Sequence, residues 1–113
     1  MHIKKDKKTL FVLGISLFLF SLVLRLYRVS VVPGNIMCDE ADYLQSIYKI
    51  IEGKGVGFFG LGWDGSQPAL NTYIMTSFVK LLGYDHSLFA IRLASALMGA
   101  LSVMSFFLFL RLL

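Results

Sequence analysis

A chain of 113 residues that is 57% hydrophobic and only 16% charged lies outside the range of an ordinary soluble domain, and a mean hydropathy of +0.72 agrees. The net charge of +4 does not point to nucleic acid, because the basic residues flank apolar runs instead of forming a stripe interleaved with exposed aromatics. With one cysteine, Cys38, a disulfide within the chain and a Cys-based metal framework are both excluded, and the class that remains is an all-α integral membrane protein.

Residues 1–8 carry Lys4, Lys5, Lys7 and Lys8 and are expected on the cytoplasmic side by the positive-inside bias. The uncharged run "TLFVLGISLFLFSLVL" follows, and with Arg25, Leu26 and Tyr27 at its far boundary it predicts a transmembrane helix over 9–27. A cleaved signal peptide is the competing reading of a basic start and an apolar run. No small-x-small cleavage site follows; "RLYRVSVV" comes instead, which favours a retained span.

Residues 28–86 form a loop of mixed character, which this topology puts outside the cytoplasm. Pro33 and Gly34 break the chain, and Asp39 then starts a helix over about 39–52 as its cap. Leu44, Ile47, Tyr48 and Ile51 recur at helical spacing up to Gly53, so this helix is amphipathic, and it is expected along the membrane surface with Lys49 and Glu52 turned to water. The glycine-rich, aromatic stretch "GKGVGFFGLGWDG" reads as an irregular loop in which Phe58, Phe59 and Trp63 dip into the interface. A second juxtamembrane helix spans about 67–82. Ser66 or Gln67 is its expected cap, Pro68 lies in its first turn and Gly83 ends it. It is apolar nearly all round and needs a cover of protein or lipid.

Asp85 or Ser87 is expected to cap the last element, a second transmembrane helix over 88–111 bounded by Arg92 and Arg111. Its small residues pair at spacing four, Ser95 with Gly99 and Ala96 with Ala100, a spacing that permits close helix approach in lipid. The fold class is therefore two transmembrane helices joined by an external loop that carries two juxtamembrane amphipathic helices. With no polar tail after Arg111, the sequence reads as the amino-terminal part of a larger protein.

Chemistry concentrates in "CDEADY". Acids in a first helical turn are ordinary, since unpaired N–H groups and the helix dipole favour negative charge there. Asp39, Glu40 and Asp42 exceed what a cap requires, and carboxylates held against a membrane are costly unless they act, so a general base is the sharper reading. Asp39 and Asp42 share one helix side; Glu40 points elsewhere. Arg25, Arg28 and Arg92 lie near the same outer boundary. They are either snorkelling anchors or partners of the acids or of a lipid phosphate. His2 and His86 are far apart, no metal-ligand cluster is visible, and no GxxxxGK[ST], GxSxG or HExxH pattern occurs.

The order "RLYRVSVVPGNIMCDEADY", glycine-rich loop, "QPALNTYIMTSFVKLLG" and "IRLASALMGALSV" resembles the amino-terminal part of the C-type membrane glycosyltransferases, particularly the protein O-mannosyltransferase-like and aminoarabinose-transferase-like members of glycosyltransferase family 39. The resemblance covers almost the whole chain. Gln67 stands where relatives often carry histidine, and Ala69 and Ala94 stand where they often carry proline. The resemblance implies a multi-pass enzyme of cell-envelope glycosylation. Its reaction would transfer a sugar, with inversion, from a polyprenyl-phosphate donor to a hydroxyl of a protein, lipid or glycan acceptor on the outer face. It makes Asp39 the base, has Glu40 position acceptor or base, and turns Arg92, Arg28 and Gln67 toward substrate and lipid phosphate. Related enzymes differ in their need for a divalent metal. Alone, this portion would lack the spans that complete the lipid cavity. A small two-span scaffold in which the acids merely cap a helix is the reading from a different class.

Overall fold

The computed structural model describes residues 7–29, 31, 34, 38–54 and 68–112. Every regular element among them is helical: α1 (Lys7–Leu26), α2 (Cys38–Ile51), α3 (Ala69–Leu82), a 3₁₀ turn (Tyr84–His86) and α4 (Ser87–Leu112). Two compact units result, one of Met1–Tyr27 with Ala96–Leu113 and the other of Arg28–Ser95.

α1 and α4 carry the two stretches that are long and apolar enough to cross a membrane, with mean hydropathy 2.3 over the most apolar 18 residues of Lys7–Leu26 and 2.1 over those of Tyr84–Arg111. Large apolar side chains such as Phe11, Phe20, Val23, Phe106 and Phe109 are uncovered along both. A core helix of a soluble protein would bury them. Hydroxyls in these stretches are satisfied internally, Ser16 Oγ donating to the Val12 carbonyl at 2.8 Å and Ser102 Oγ to that of Met98 at 2.9 Å. The small residues of α4 do form a buried strip, but a narrower one than the spacing predicts. Ala96 and Ala100 are buried while Ser95 is exposed.

The second unit is held by a core of Ile47, Met75, Val79, Ala90, Ile91 and Ala94, against which Tyr43, Leu44, Ile51, Phe78 and Leu88 pack. The apolar face expected to lie on the membrane surface is therefore the face by which α2 meets α3 and the start of α4. Ile47, at its centre, is fully buried. Protein covers this stripe because three apolar faces at close quarters shield one another from water. Lys49 and Glu52 are exposed, as their polar positions dictate.

The helix ends follow local chemistry. Past α2, Lys54 N–H donates to the Lys49 carbonyl at 3.1 Å and Gly53 N–H to that of Ile50 at 3.2 Å, a Schellman closure that needs the φ of +69° which Gly53 adopts. Gly83 ends α3, its N–H donating to the Val79 carbonyl at 2.9 Å. Three boundaries differ from expectation. α2 begins at Cys38, so Asp39 is a first-turn residue and not the cap. Pro68 is the N-cap of α3, with φ −63° and ψ 117°, and not part of its first turn. Neither Asp85 nor Ser87 caps α4, because the 3₁₀ turn leads straight into it. Ser87 Oγ instead donates backward to the Tyr84 carbonyl at 2.8 Å.

Candidate functional site

The acid-bearing turn of α2 divides its two neighbouring carboxylates between two environments. Successive helical residues are rotated by roughly 100°, so Asp39 and Glu40 cannot share a direction. Glu40 lies one turn before Tyr43 and two before Ile47, on the face packed against the core. Asp39 points outward and is exposed.

Across from Glu40 stands Arg92, in the second turn of α4. Arg92 Nε donates to Glu40 Oε1 at 2.7 Å and Nη2 donates to Oε2 at 3.0 Å, the fork-to-fork arrangement that fixes a carboxylate in both position and plane. Nη1 donates at 3.1 Å to the Val29 carbonyl, just past the end of α1. The Arg92 side chain is 7% exposed and that of Glu40 20%, so both charges are largely out of water and each depends on the other.

The Val29 carbonyl is presented by an unusual turn. Arg28 has φ +54°, the left-handed conformation that side chains other than glycine seldom adopt, and its carbonyl accepts from Val31 N–H at 2.9 Å. Arg28 itself is exposed.

Three further contacts, made by two tyrosines of α2, stiffen the unit. Tyr43, one turn beyond Asp39, has its hydroxyl 3.4 Å from Asn71 Nδ2 on α3. Tyr48 stacks on Tyr84, with ring centroids 6.0 Å apart and planes 18° from parallel, and its hydroxyl lies 2.9 Å from Ser87 Oγ. Since the one proton of Ser87 Oγ goes to the Tyr84 carbonyl, Tyr48 is the donor in that bond.

Of the residues predicted from sequence, Glu40 and Arg92 are brought into contact. Asp39 is beside them in the chain but turned outward, Arg28 is exposed on the turn that leads to Val29, and Gln67 lies outside the described residues, as do Phe58, Phe59 and Trp63. Asp42 is half-buried. Among the described residues, no group of three His, Cys, Asp or Glu side chains gathers in a manner that could hold a metal ion. Tyr43, Asn71 and the Val29 carbonyl were not singled out by sequence reasoning. A backbone carbonyl 63 positions from its donor leaves no residue-type signal, and an Asn within an apolar helix was the sole hint of α3's role.

The arrangement presents one exposed carboxylate and, adjacent to it in the chain, one carboxylate locked in place. No protein family, curated protein or solved structure matches the chain.

Proposed function

We propose that this chain is the acid-bearing, amino-terminal portion of a C-type membrane glycosyltransferase that takes a sugar from a polyprenyl-phosphate donor to a hydroxyl acceptor at the outer face of the cell membrane. In this reading both long apolar helices cross the bilayer with the N-terminus cytoplasmic, and the Arg28–Ser95 unit is external. Asp39 is the general base. It takes the proton of the acceptor hydroxyl as that oxygen attacks the anomeric carbon from the face opposite the leaving group. The bond from that carbon to the phosphate oxygen breaks, polyprenyl phosphate departs, and the configuration inverts.

The observation that carries the reading is the division of labour in the Asp39–Glu40 pair. Two acids that merely neutralised a helix dipole would both remain in solvent, whereas here Glu40 is committed to Arg92 by two bonds and Asp39 is left exposed beside it. Glu40 is then a positioning residue that fixes the first turn of α2 and with it the direction of Asp39. Because Glu40 occupies two donors of Arg92, contact of Arg92 with a lipid phosphate runs through its remaining N–H groups, and Arg28 and Gln67 are the other positions assigned to substrate.

The test is an assay of the full-length protein in proteoliposomes with a panel of polyprenyl-phosphate sugars and hydroxyl acceptors. Asp39→Asn is expected to remove most transfer and leave insertion intact; near-normal turnover in that variant would sink the base assignment. A two-span scaffold draws on the same ion pair, as a pin between α2 and α4. Absence of transfer from every donor in the panel, with the wild-type protein folded, favours that alternative.

A further inference from the structure

Three arginines lie in or beside the apolar stretches of α1 and α4, and each has a different partner. Arg92 has a carboxylate. Arg111 lies over the Phe107 ring, 5.5 Å from its centroid. Arg25, in the last turn of α1, has a hydroxyl: its Nη1 donates to Ser21 Oγ at 2.6 Å.

That bond folds the Arg25 side chain back along α1 by one turn and lays the guanidinium across Gly99 of α4. A Cβ at Gly99 would stand 2.5 Å from Arg25 Nε, 3.2 Å from Cζ and 3.3 Å from Nη2, so Gly99 provides the space in which the planar group rests. Ser21 is buried, whereas Arg25 is exposed. The guanidinium is thus held at two points and still accessible.

Its charge is incompletely compensated. A serine hydroxyl is neutral, the C-terminal end of the helix dipole carries only a partial negative charge, and among the described residues no carboxylate forms an ion pair with Arg25. The helix that carries it has a mean hydropathy of 2.3 over its most apolar 18 residues, few of which are covered by protein, so the surroundings of its stem are apolar. One N–H of five is given to Ser21, and the others suit the oxygens of a phosphate, the anion abundant where hydrocarbon meets headgroups. We infer that Arg25, held by Ser21 and seated on Gly99, is a binding site for the phosphate group of a lipid at the C-terminal boundary of α1. The site rests on the reading that α1 crosses a bilayer and stands independently of sugar transfer. Its ligand is either the phosphodiester of a bilayer lipid or the monoester of a prenyl phosphate.

The test uses full-length protein with ¹⁵N-labelled arginine in uncharged maltoside micelles. The Arg25 Nε resonance, assigned by its loss in Arg25→Lys, is followed during titration with dihexanoyl phosphatidylglycerol, with farnesyl phosphate and with phosphate-free dihexanoylglycerol. A saturable shift with a phosphate lipid and none with dihexanoylglycerol is expected; the stronger of the two phosphate responses identifies the source. Gly99→Leu, which displaces the guanidinium, is expected to weaken binding on the order of tenfold. Ser21→Ala, a smaller change at the seam, acts in the same direction if Gly99→Leu fails to fold. No saturable shift with either phosphate lipid, or an equal shift with dihexanoylglycerol, would reduce Arg25 to a snorkelling anchor and overturn the assignment.

Discussion

Arg92 grips Glu40 by two parallel hydrogen bonds, at 2.7 and 3.0 Å, across 52 positions of chain. The pair ties the first turn of α2 to the second turn of α4, and through the Val29 carbonyl it also fixes the segment that leaves α1. A single guanidinium therefore organises three parts of the unit that holds the acids.

Removing one partner of this pair leaves a charge buried without compensation. Glu40→Ala is expected to destabilise the Arg28–Ser95 unit by about 3–5 kcal/mol, and Glu40→Gln by less, since an amide oxygen still accepts from Arg92. Arg92→Lys is also not conservative, because an ammonium cannot reproduce the fork. Denaturant unfolding of the detergent-solubilised protein, read by far-UV circular dichroism and by protease cleavage within α2, checks the order. A Glu40→Ala variant as stable as wild type refutes the pin.

Asp39 is exposed and outside the core, so Asp39→Asn should change stability by no more than about 0.5 kcal/mol. Transfer should nevertheless fall by on the order of a hundredfold or more, the usual scale for loss of a general base. Measuring both quantities on the same preparation separates catalysis from folding, and a variant that loses stability and transfer together argues against a base.

Arg28 holds φ +54° at a place where glycine would rest without steric cost. Arg28→Gly is expected to raise stability by up to about 1 kcal/mol, after the flexibility of glycine in the unfolded chain is set against the strain relieved. If Arg28 also contacts the lipid phosphate, the same variant loses transfer while gaining stability. Unchanged transfer removes Arg28 from the substrate contacts.

The packing of α2 on protein makes a prediction of its own. Ile47 is fully buried, so Ile47→Ala should cost about 2–5 kcal/mol through lost burial and a residual cavity. Lys49→Ala, two residues on and on the exposed face, should be near neutral. Equal, small effects of the two would return the apolar face of α2 to the lipid surface.

Much of the helical layout was legible in the residues alone. Two long apolar runs free of proline are helical, and Gly53 and Gly83 end α2 and α3 where a positive φ is required. The first-turn boundaries were less legible. Asp39 was expected as a cap and Asp85 or Ser87 as another, but cap geometry depends on where the preceding chain arrives, and Tyr84–His86 arrives as a 3₁₀ turn.

Helical periodicity by itself determined that Leu44, Ile47, Tyr48 and Ile51 share a face and that Asp39 and Glu40 diverge. Composition by itself marked two stretches that are long and apolar enough to cross a membrane. Periodicity defines a face but does not name what covers that face, since apolar surface is buried equally well by lipid or by protein. The tertiary structure decided that α3 and α4 cover α2, and that Arg92, one of three arginines offered by the sequence, is the one that receives Glu40. That choice rests on contacts between residues far apart in the chain, where a guanidinium and a carboxylate meet only once the helices have packed.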